Sequence, residues 1–260
     1  MIRLLKLEEM DAILAAIDRE RHFLYYSYLT TRRSRTIQVG HYSANGELLL
    51  GVLAYLRGMP FHAFSVYPVH ETFRLKPLMI DMQERLKLPQ EAVGSCMVNE
   101  EDKHVLEEQL ETVSPAAPIM LMKHRHPQAL PPADEQVVRL EPGSYSRIES
   151  RLAEWNTMAF TREELEYPFY GIWSGEELIA LGGYHIYSED YVELGNIGTD
   201  ANWRNRGYGR RICAQLTRTG KAISGHVYLN VVEGNASAIR LYRSLGFETV
   251  CLQHIVQFKL

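Results

Sequence analysis

The stretch ELGNIGTDANWRNRGYGRR, Glu193–Arg211, decides the reading of this chain. Its first residues belong to a strand read over Tyr191–Thr199. A polar loop follows, and Gly207 and Gly209 open a helix that runs to about Ala222 with Ile212 and Leu216 inward. A helix N-terminus carries unpaired N–H groups and a partial positive charge, so it holds anions. Glycines let the backbone approach the anion closely. Arg204, Arg206, Arg210 and Arg211 crowd this loop and first turn, and no Asp or Glu occurs from Ala201 to Val232. The local field is positive and suits a multiply phosphorylated ligand. The competing reading of the arginines is a solvated helix face.

The loop lacks the Gly-Lys-Ser/Thr of a nucleotide P-loop and does not read G-x-G-x-x-G, which disfavours a dinucleotide-binding unit. Arg204-Asn205-Arg206-Gly207-Tyr208-Gly209 instead resembles the R/Q-x-x-G-x-G/A signature of the GNAT acetyltransferase superfamily. Further on, NASAIRLYRSLGF, Asn235–Phe247, resembles the second motif of that family, N-x-x-A-x-x-L-Y-x-x-x-G-F, at every fixed position. Order, separation and intervening elements agree, and the resemblance covers roughly residues 136–260.

The resemblance implies an acetyl-CoA-dependent N-acetyltransferase working by direct attack of an amine, with acetyl-CoA as cosubstrate and no metal. The cosubstrate would lie in a split between the strands at 191–199 and 227–232. Its pantetheine would run along Ile197, Gly198 and Thr199. The pyrophosphate would rest on the N–H groups from Arg206 to Arg210, in a cradle made by Arg204, Asn205, Arg206, Gly207, Tyr208, Gly209 and Arg210. Asn235 would contact acetyl-CoA or order its loop, and Tyr242 would protonate the departing thiolate. Glu193, eleven positions before Arg204, resembles in placement the general base of the histone acetyltransferase branch. Many other members use a water chain. The chemistry agrees: acyl transfer to an amine needs a neutral nitrogen, a polarised carbonyl and an acid for the thiolate. Read without the motif, Tyr242 is a packing tyrosine, Glu193 an exposed strand residue and Asn235 a helix N-cap. The alternative function is a non-catalytic acyl-CoA-binding or sensing module, which would keep Arg204 to Arg210 and Asn235 but has no need of the Tyr242 proton.

The chain departs from the family pattern at Ala201, where a proline is often found, and at Thr199, where a valine is common. The helical region before the second strand, Gly143 to about Leu165, is short. In the family that region shapes the acceptor pocket, so the acceptor is specified least. An amine-bearing small molecule ranks ahead of a protein.

Outward from the motifs, the C-terminal half reads β-α-β-β-β-α-β-α-β: strands over Val137–Leu140, Phe169–Trp173, Leu178–Ile186, Tyr191–Thr199, Val227–Val232 and Val250–Phe258, and helices over Gly143–Trp155, Gly207–Ala222 and Ala236–Leu245. Gly246 is a left-handed helix stop, and Gly182-Gly183 reads as a bulge. The N-terminal half gives nearly the same list, with helices over Met10–Tyr28, Thr72–Leu86 and Glu101–Val113. YSANGELLLGVLAY, residues 42–55, also resembles WSGEELIALGGYHI, residues 173–186. The fold expected is α/β (α+β), with two GNAT-like domains, each a mixed, mostly antiparallel sheet flanked by helices. The domains expected are 1–125, a degenerate copy; 126–135, a Pro-rich linker; and 136–260, the catalytic domain. The copy is degenerate because residues 67–77, YPVHETFRLKP, hold no glycine, and the helix EEDKHVLEEQLETV lacks the second motif.

Composition sets the outer bounds. The 260 residues are 46% hydrophobic and 23% charged, as in a globular protein rather than a disordered one. The net charge of −4 gives no basic excess for nucleic acid. Three distant cysteines argue against a disulfide framework or a thiolate zinc site. They fit a reducing compartment, hence a cytoplasmic expectation. His124 and His126 lack a third ligand for a metal. No apolar run is long enough for a membrane span, and the acids early in MIRLLKLEEMDAILAAIDRE do not suit a signal peptide. No nucleic-acid or membrane partner is expected, and a homodimer is left open.

Overall fold

The structure is a computed structural model that describes residues 1–260 apart from Gln90 and Met158, the latter falling in the expected helical region 143–165. The chain divides into two units: Met1–Ile119 together with Cys251–Leu260, and Met120–Val250. This differs from the boundary expected at 126–135. Pro127–Ala129 form a single 3-10 turn inside the second unit rather than a linker. The chain changes unit at Ile119/Met120, within a strand, and returns at Cys251. The last ten residues therefore belong to the first unit, not to the domain expected over 136–260.

The first unit contains β1 (Ile2–Leu4), α1 (Leu7–Ala16), α2 (Phe23–Leu29), β2 (Thr36–Tyr42), β3 (Leu49–Leu56), β4 (His62–Pro68), α3 (Leu75–Leu86), β5 (Val93–Asn99) and α4 (Lys103–Gln109). β6 (Ala117–His124) carries the chain into the second unit, which holds β7 (Val138–Leu140), α5 (Tyr145–Glu154), β8 (Phe169–Ser174), β9 (Glu177–Tyr187), β10 (Val192–Thr199), α6 (Tyr208–Ile223), β11 (Val227–Val232), α7 (Ala236–Ser244) and the start of β12 (Phe247–Lys259).

Strand neighbours in the first unit run β1-β2-β3-β4-β5-β12, antiparallel except for β4 and β5. In the second unit they run β6-β11-β10-β9-β8-β7, with β10 and β11 parallel and β7 to β10 antiparallel. Each unit is thus a mixed, mostly antiparallel sheet with helices, as the sequence leads one to expect.

Three helices of the first unit differ from the sequence reading. The helix expected over Met10–Tyr28 is two helices. Ile17 is extended, and the Asp18 carboxylate accepts from the N–H groups of Glu20 and Arg21 at 2.9 and 3.1 Å, which offers the backbone an alternative to helix. α3 begins at Leu75, where Gln109 Oε1 accepts from the Leu75 N–H at 2.7 Å. α4 ends at Gln109 because the following residues are drawn onto the C-terminal strand: Val113 donates to Gln257 O, and Lys259 to Glu111 O.

In the second unit the sheet is covered on both faces. Ile212, Leu216 and Ile239, from α6 and α7, pack with Ala180, Tyr184, Val192 and Leu194. Ile148 and Leu152 of α5, with Leu165 and Phe169, pack on Leu178 and Leu181. The period-2 alternation of β9 explains the division: Ala180, Gly182 and Tyr184 face α6, while Leu181, Gly183 and His185 face the α5 side. Ile212 and Leu216 are fully buried.

Candidate active site

The parallel ladder of β10 and β11 is short. Val192, Glu193 and Leu194 pair with Val227, Tyr228 and Leu229, and there the pairing ends. Gly195–Thr199 continue without β11, so the two strands diverge into a split. Against β9, the same segment is irregular. His185 is an extra residue on β9 between the partners of Glu193 and Leu194, and β10 carries an extra residue between Gly195 and Gly198. Asn196 takes a left-handed φ of 55° within that bulge. On the α5 side of β10, the His185 ring lies against Gly195 and the Trp155 ring against Gly198; a Cβ at either glycine would fall 2.2 or 2.1 Å from the ring.

At the top of β10 the chain turns into the loop that opens α6. Asp200 Oδ1 accepts from the Asn202 N–H at 2.9 Å and fixes a 3-10 turn over Ala201–Trp203. Arg204 Nε donates to Thr199 O at 3.2 Å, closing the loop onto the strand. Asn205 and Gly207 have φ of 62° and 83°, and Gly207 is the N-cap of α6 with no side chain bonded to the helix N–H groups. Those donors and the helix dipole are left for an anion. The constraint at Gly207 is its backbone, since a Cβ there meets nothing within 4 Å. The Arg206 guanidinium stacks over Trp203 with its carbon 5.0 Å from the ring centroid, and Arg210 Nε reaches Ser244 Oγ at 3.4 Å. Arg211 departs from the expected cluster. It is bound by Asp134 and by Gln136, at 2.8 and 2.7 Å.

The second motif forms α7. Asn235 Oδ1 accepts from the Ala238 N–H at 3.1 Å, so Asn235 is the N-cap. Tyr242 packs against the α6-side core and beside Phe247, and burial pushes its phenol above the usual range, which keeps the proton on it. Glu193 is 6% exposed, not an exposed strand residue, and Glu193 Oε1 accepts from Asn230 Nδ2 at 2.9 Å. The sequence reading missed Glu164, His185, Asn196 and Asn230. Glu164, in the 3-10 turn Arg162–Glu166, is 4% exposed; Asn196 Nδ2 donates to its Oε2 at 2.6 Å, and His185 Nδ1 lies 3.1 Å from the same oxygen. The usable signal was a polar residue between two glycines, Gly195-Asn196-Ile197-Gly198, which points to a bulge.

The first unit repeats the divergence without the cradle. β4 and β5 pair only from His62 to Phe64, against Gly94 to Cys96. The first N–H of the helix that follows is already bonded to Gln109. Beyond the last pair, His22, Tyr25, Asn99 and Asp102 line a cavity of about 10 Å³. That is room for a single water at most. Elsewhere, His124 and His126 bond to Leu245 O and to Glu248 at 3.1 and 2.7 Å. Among the described residues no group of three or more His, Cys, Asp or Glu is arranged for a metal, and no helix is long and apolar enough to cross a membrane.

Residues 134–247 match the Acetyltransferase (GNAT) family. This segment is a GNAT-family domain. Over 105 residues the chain is 36% identical to N-alpha-acetyltransferase RimI of Mycobacterium tuberculosis, covering 38% of this chain and 65% of RimI. It is 34% identical over 159 residues to an uncharacterized protein of Mycobacterium leprae, covering 55% of this chain and 43% of that protein. The chain thus spans less than two thirds of either relative. The fold of the whole chain resembles a tandem GNAT protein from the clavulanic acid biosynthesis pathway, with a TM-score of 0.62 and 12% identity, covering 100% of this chain and 98% of that one. The GNAT segment contains the split, the α6 loop and Tyr242.

Proposed function

We propose that the chain is an acetyl-CoA-dependent N-acetyltransferase whose chemistry belongs to the second unit. The observation that carries this reading is the divergence of β10 from β11 at Leu194/Leu229, directly before a helix N-terminus that is uncapped and flanked by arginines. Such a split suits a thin, extended arm, and such a terminus suits the pyrophosphate at its end. In this reading Arg204, Asn205, Arg206, Gly207, Tyr208, Gly209 and Arg210 hold the phosphates. Ile197, Gly198 and Thr199 offer backbone to the pantetheine, and Asn235 fixes the start of α7.

Glu193 takes the amine proton, directly or through water. The freed nitrogen pair forms the C–N bond, the C–S bond breaks, and the Tyr242 hydroxyl gives its proton to the thiolate. The first unit holds no acetyl-CoA: its helix terminus is capped by Gln109, and the cavity lined by His22 and Asp102 beyond its strand pairing is only water-sized. Cys96, Cys213 and Cys251 are free thiols, which supports a reducing, cytoplasmic setting. The test is thiol release from acetyl-CoA with a panel of amines. Release that rises with amine concentration and yields the N-acetyl product is the expected result. Release that no amine accelerates, with acetyl-CoA bound, would point to a non-catalytic module.

A further inference from the structure

The α5 side of the split holds two buried carboxylates, Glu164 and Glu193, and the described buried residues include no Lys or Arg to neutralise them. The arginine nearest Glu164 in sequence, Arg162, is engaged by Glu149 at 3.0 Å. A buried carboxylate is costly unless a cation or several donors meet it. Here each is met by a carboxamide in the same way. Asn196 Nδ2 donates to Glu164, and Asn230 Nδ2 donates to Glu193. Because a carboxylate only accepts, these bonds fix the amide orientations and leave both Oδ1 atoms as acceptors. Both Oδ1 atoms are buried and have no hydrogen-bond partner among the described residues; Thr161 Oγ1, three residues before Glu164, is in the same condition. Asn196 itself is only 4% exposed. Unpaired buried acceptors of this kind cost free energy that a ligand's donors would recover.

The two pairs converge on one short segment. Glu193 and Asn196 lie two residues before and one residue after Gly195, whose outer face carries the His185 ring. The bulges at His185 and Asn196 turn both side chains onto Glu164. Bulges re-aim side chains in this manner beside functional sites. The result is a rim rich in acceptor oxygens and negative charge, with the His185 ring at Glu164 and the Thr161 hydroxyl as its other polar groups.

We propose that this face receives the acceptor as a protonated aliphatic amine, with the Glu164–Asn196 pair as its recognition site beside Glu193. An ammonium supplies both what is missing: positive charge for the carboxylates and up to three N–H donors for the orphaned oxygens. An arylamine, neutral at the same pH, or an alcohol supplies no charge. A hard divalent cation fits less well, since it needs six or more converging oxygens. The inference rests on the acetyltransferase reading for the identity of the site, but its ligand chemistry can be measured separately.

The experiment is binding of butylammonium to the full chain loaded with CoA, followed by saturation-transfer NMR at pH 8. At that pH an aliphatic amine is protonated and an ordinary imidazole is neutral. Wild type, Glu164→Gln and Glu193→Gln are compared, with 1-butanol and aniline as uncharged probes. Butylammonium should bind the wild type, and its affinity should fall ~10-fold or more in Glu164→Gln, the scale of one hydrogen bond to a charged group. Neither uncharged probe should share that dependence. An acetyl-CoA titration of each variant reports that the fold and the cosubstrate site survive. Unchanged butylammonium affinity in Glu164→Gln, aniline or butanol binding as well as the ammonium, or displacement by millimolar CaCl2 alone, would overturn the proposal. Failure of wild type to bind acetyl-CoA would instead sink the acetyltransferase reading, and the same butylammonium comparison made on the full chain without CoA would then decide the ammonium site by itself.

Discussion

Gly207 and Tyr242 show how single residues carry this site. Gly207 holds a φ of 83° with open space where a Cβ would stand. Gly207→Ala should therefore lower stability by about 1–2 kcal/mol through the left-handed conformation alone, read as a shift of the urea midpoint. No loss would mean that the loop relaxes to another path. Tyr242 is a different case. Its phenol stays protonated because burial raises it, and in the proposed mechanism the hydroxyl would meet charge only as the C–S bond breaks. Tyr242→Phe should lower turnover on the order of 10²–10⁴-fold with little change in acetyl-CoA affinity. Full turnover under conditions where chemistry limits the rate would make Tyr242 a packing residue.

At the scale of elements, motifs that are local in sequence were legible and constellations that cross elements were not. The strand, loop and helix from Glu193 to Arg211, and the cap, helix and stop from Asn235 to Gly246, follow from glycine, arginine and capping chemistry within a few residues of each other. Glu164, His185 and Asn196 come from three elements and meet only because two strands bulge, which no single periodicity records. Likewise the break at Asp18 depends on one carboxylate competing for backbone donors, and helical spacing ran across it. β6 illustrates a consequence at this scale. Its last residue, His124, is buried, its Nε2–H donating to Leu245 O, and burial with Lys221 nearby lowers its pKa to about 4 from 6.5. Between those values the unfolded chain binds the proton and the folded one does not. Stability is therefore fully present above pH 6.5 and is lost as pH falls toward 4. The thermal midpoint of the wild type should drop between pH 7 and pH 5, and a smaller drop should be seen in His124→Gln. Equal drops would remove His124 from the account.

The whole molecule is organised by a chain that leaves the first unit within β6 and returns to it at Cys251. That return was not legible, because the strand over 250–258 reads equally well as the last strand of either sheet; its register against β5, from Gln253↔Asn99 to Lys259↔Val93, settles the matter. Phe258 is fully buried and its ring lies tilted against Phe64 in the first unit, with ring centroids 5.6 Å apart. Phe258→Ala should destabilise that unit by about 3–5 kcal/mol yet leave acetyl-CoA affinity within a few-fold, as followed by hydrogen exchange of β4 and β5 beside a ligand titration. Loss of protection in β10 and α6 instead would place Phe258 in the wrong unit.

The central claim is that the loop from Arg204 to Arg210 and the N-terminus of α6 hold the phosphates of acetyl-CoA. It is tested most directly by calorimetric titration of acetyl-CoA into the full chain and into the Arg206→Glu, Arg210→Glu double variant. The account predicts binding to the wild type and a loss of ~100-fold or more in the variant, since two charge-assisted contacts are replaced by repulsion. Equal affinity in a variant whose fold is intact would contradict it.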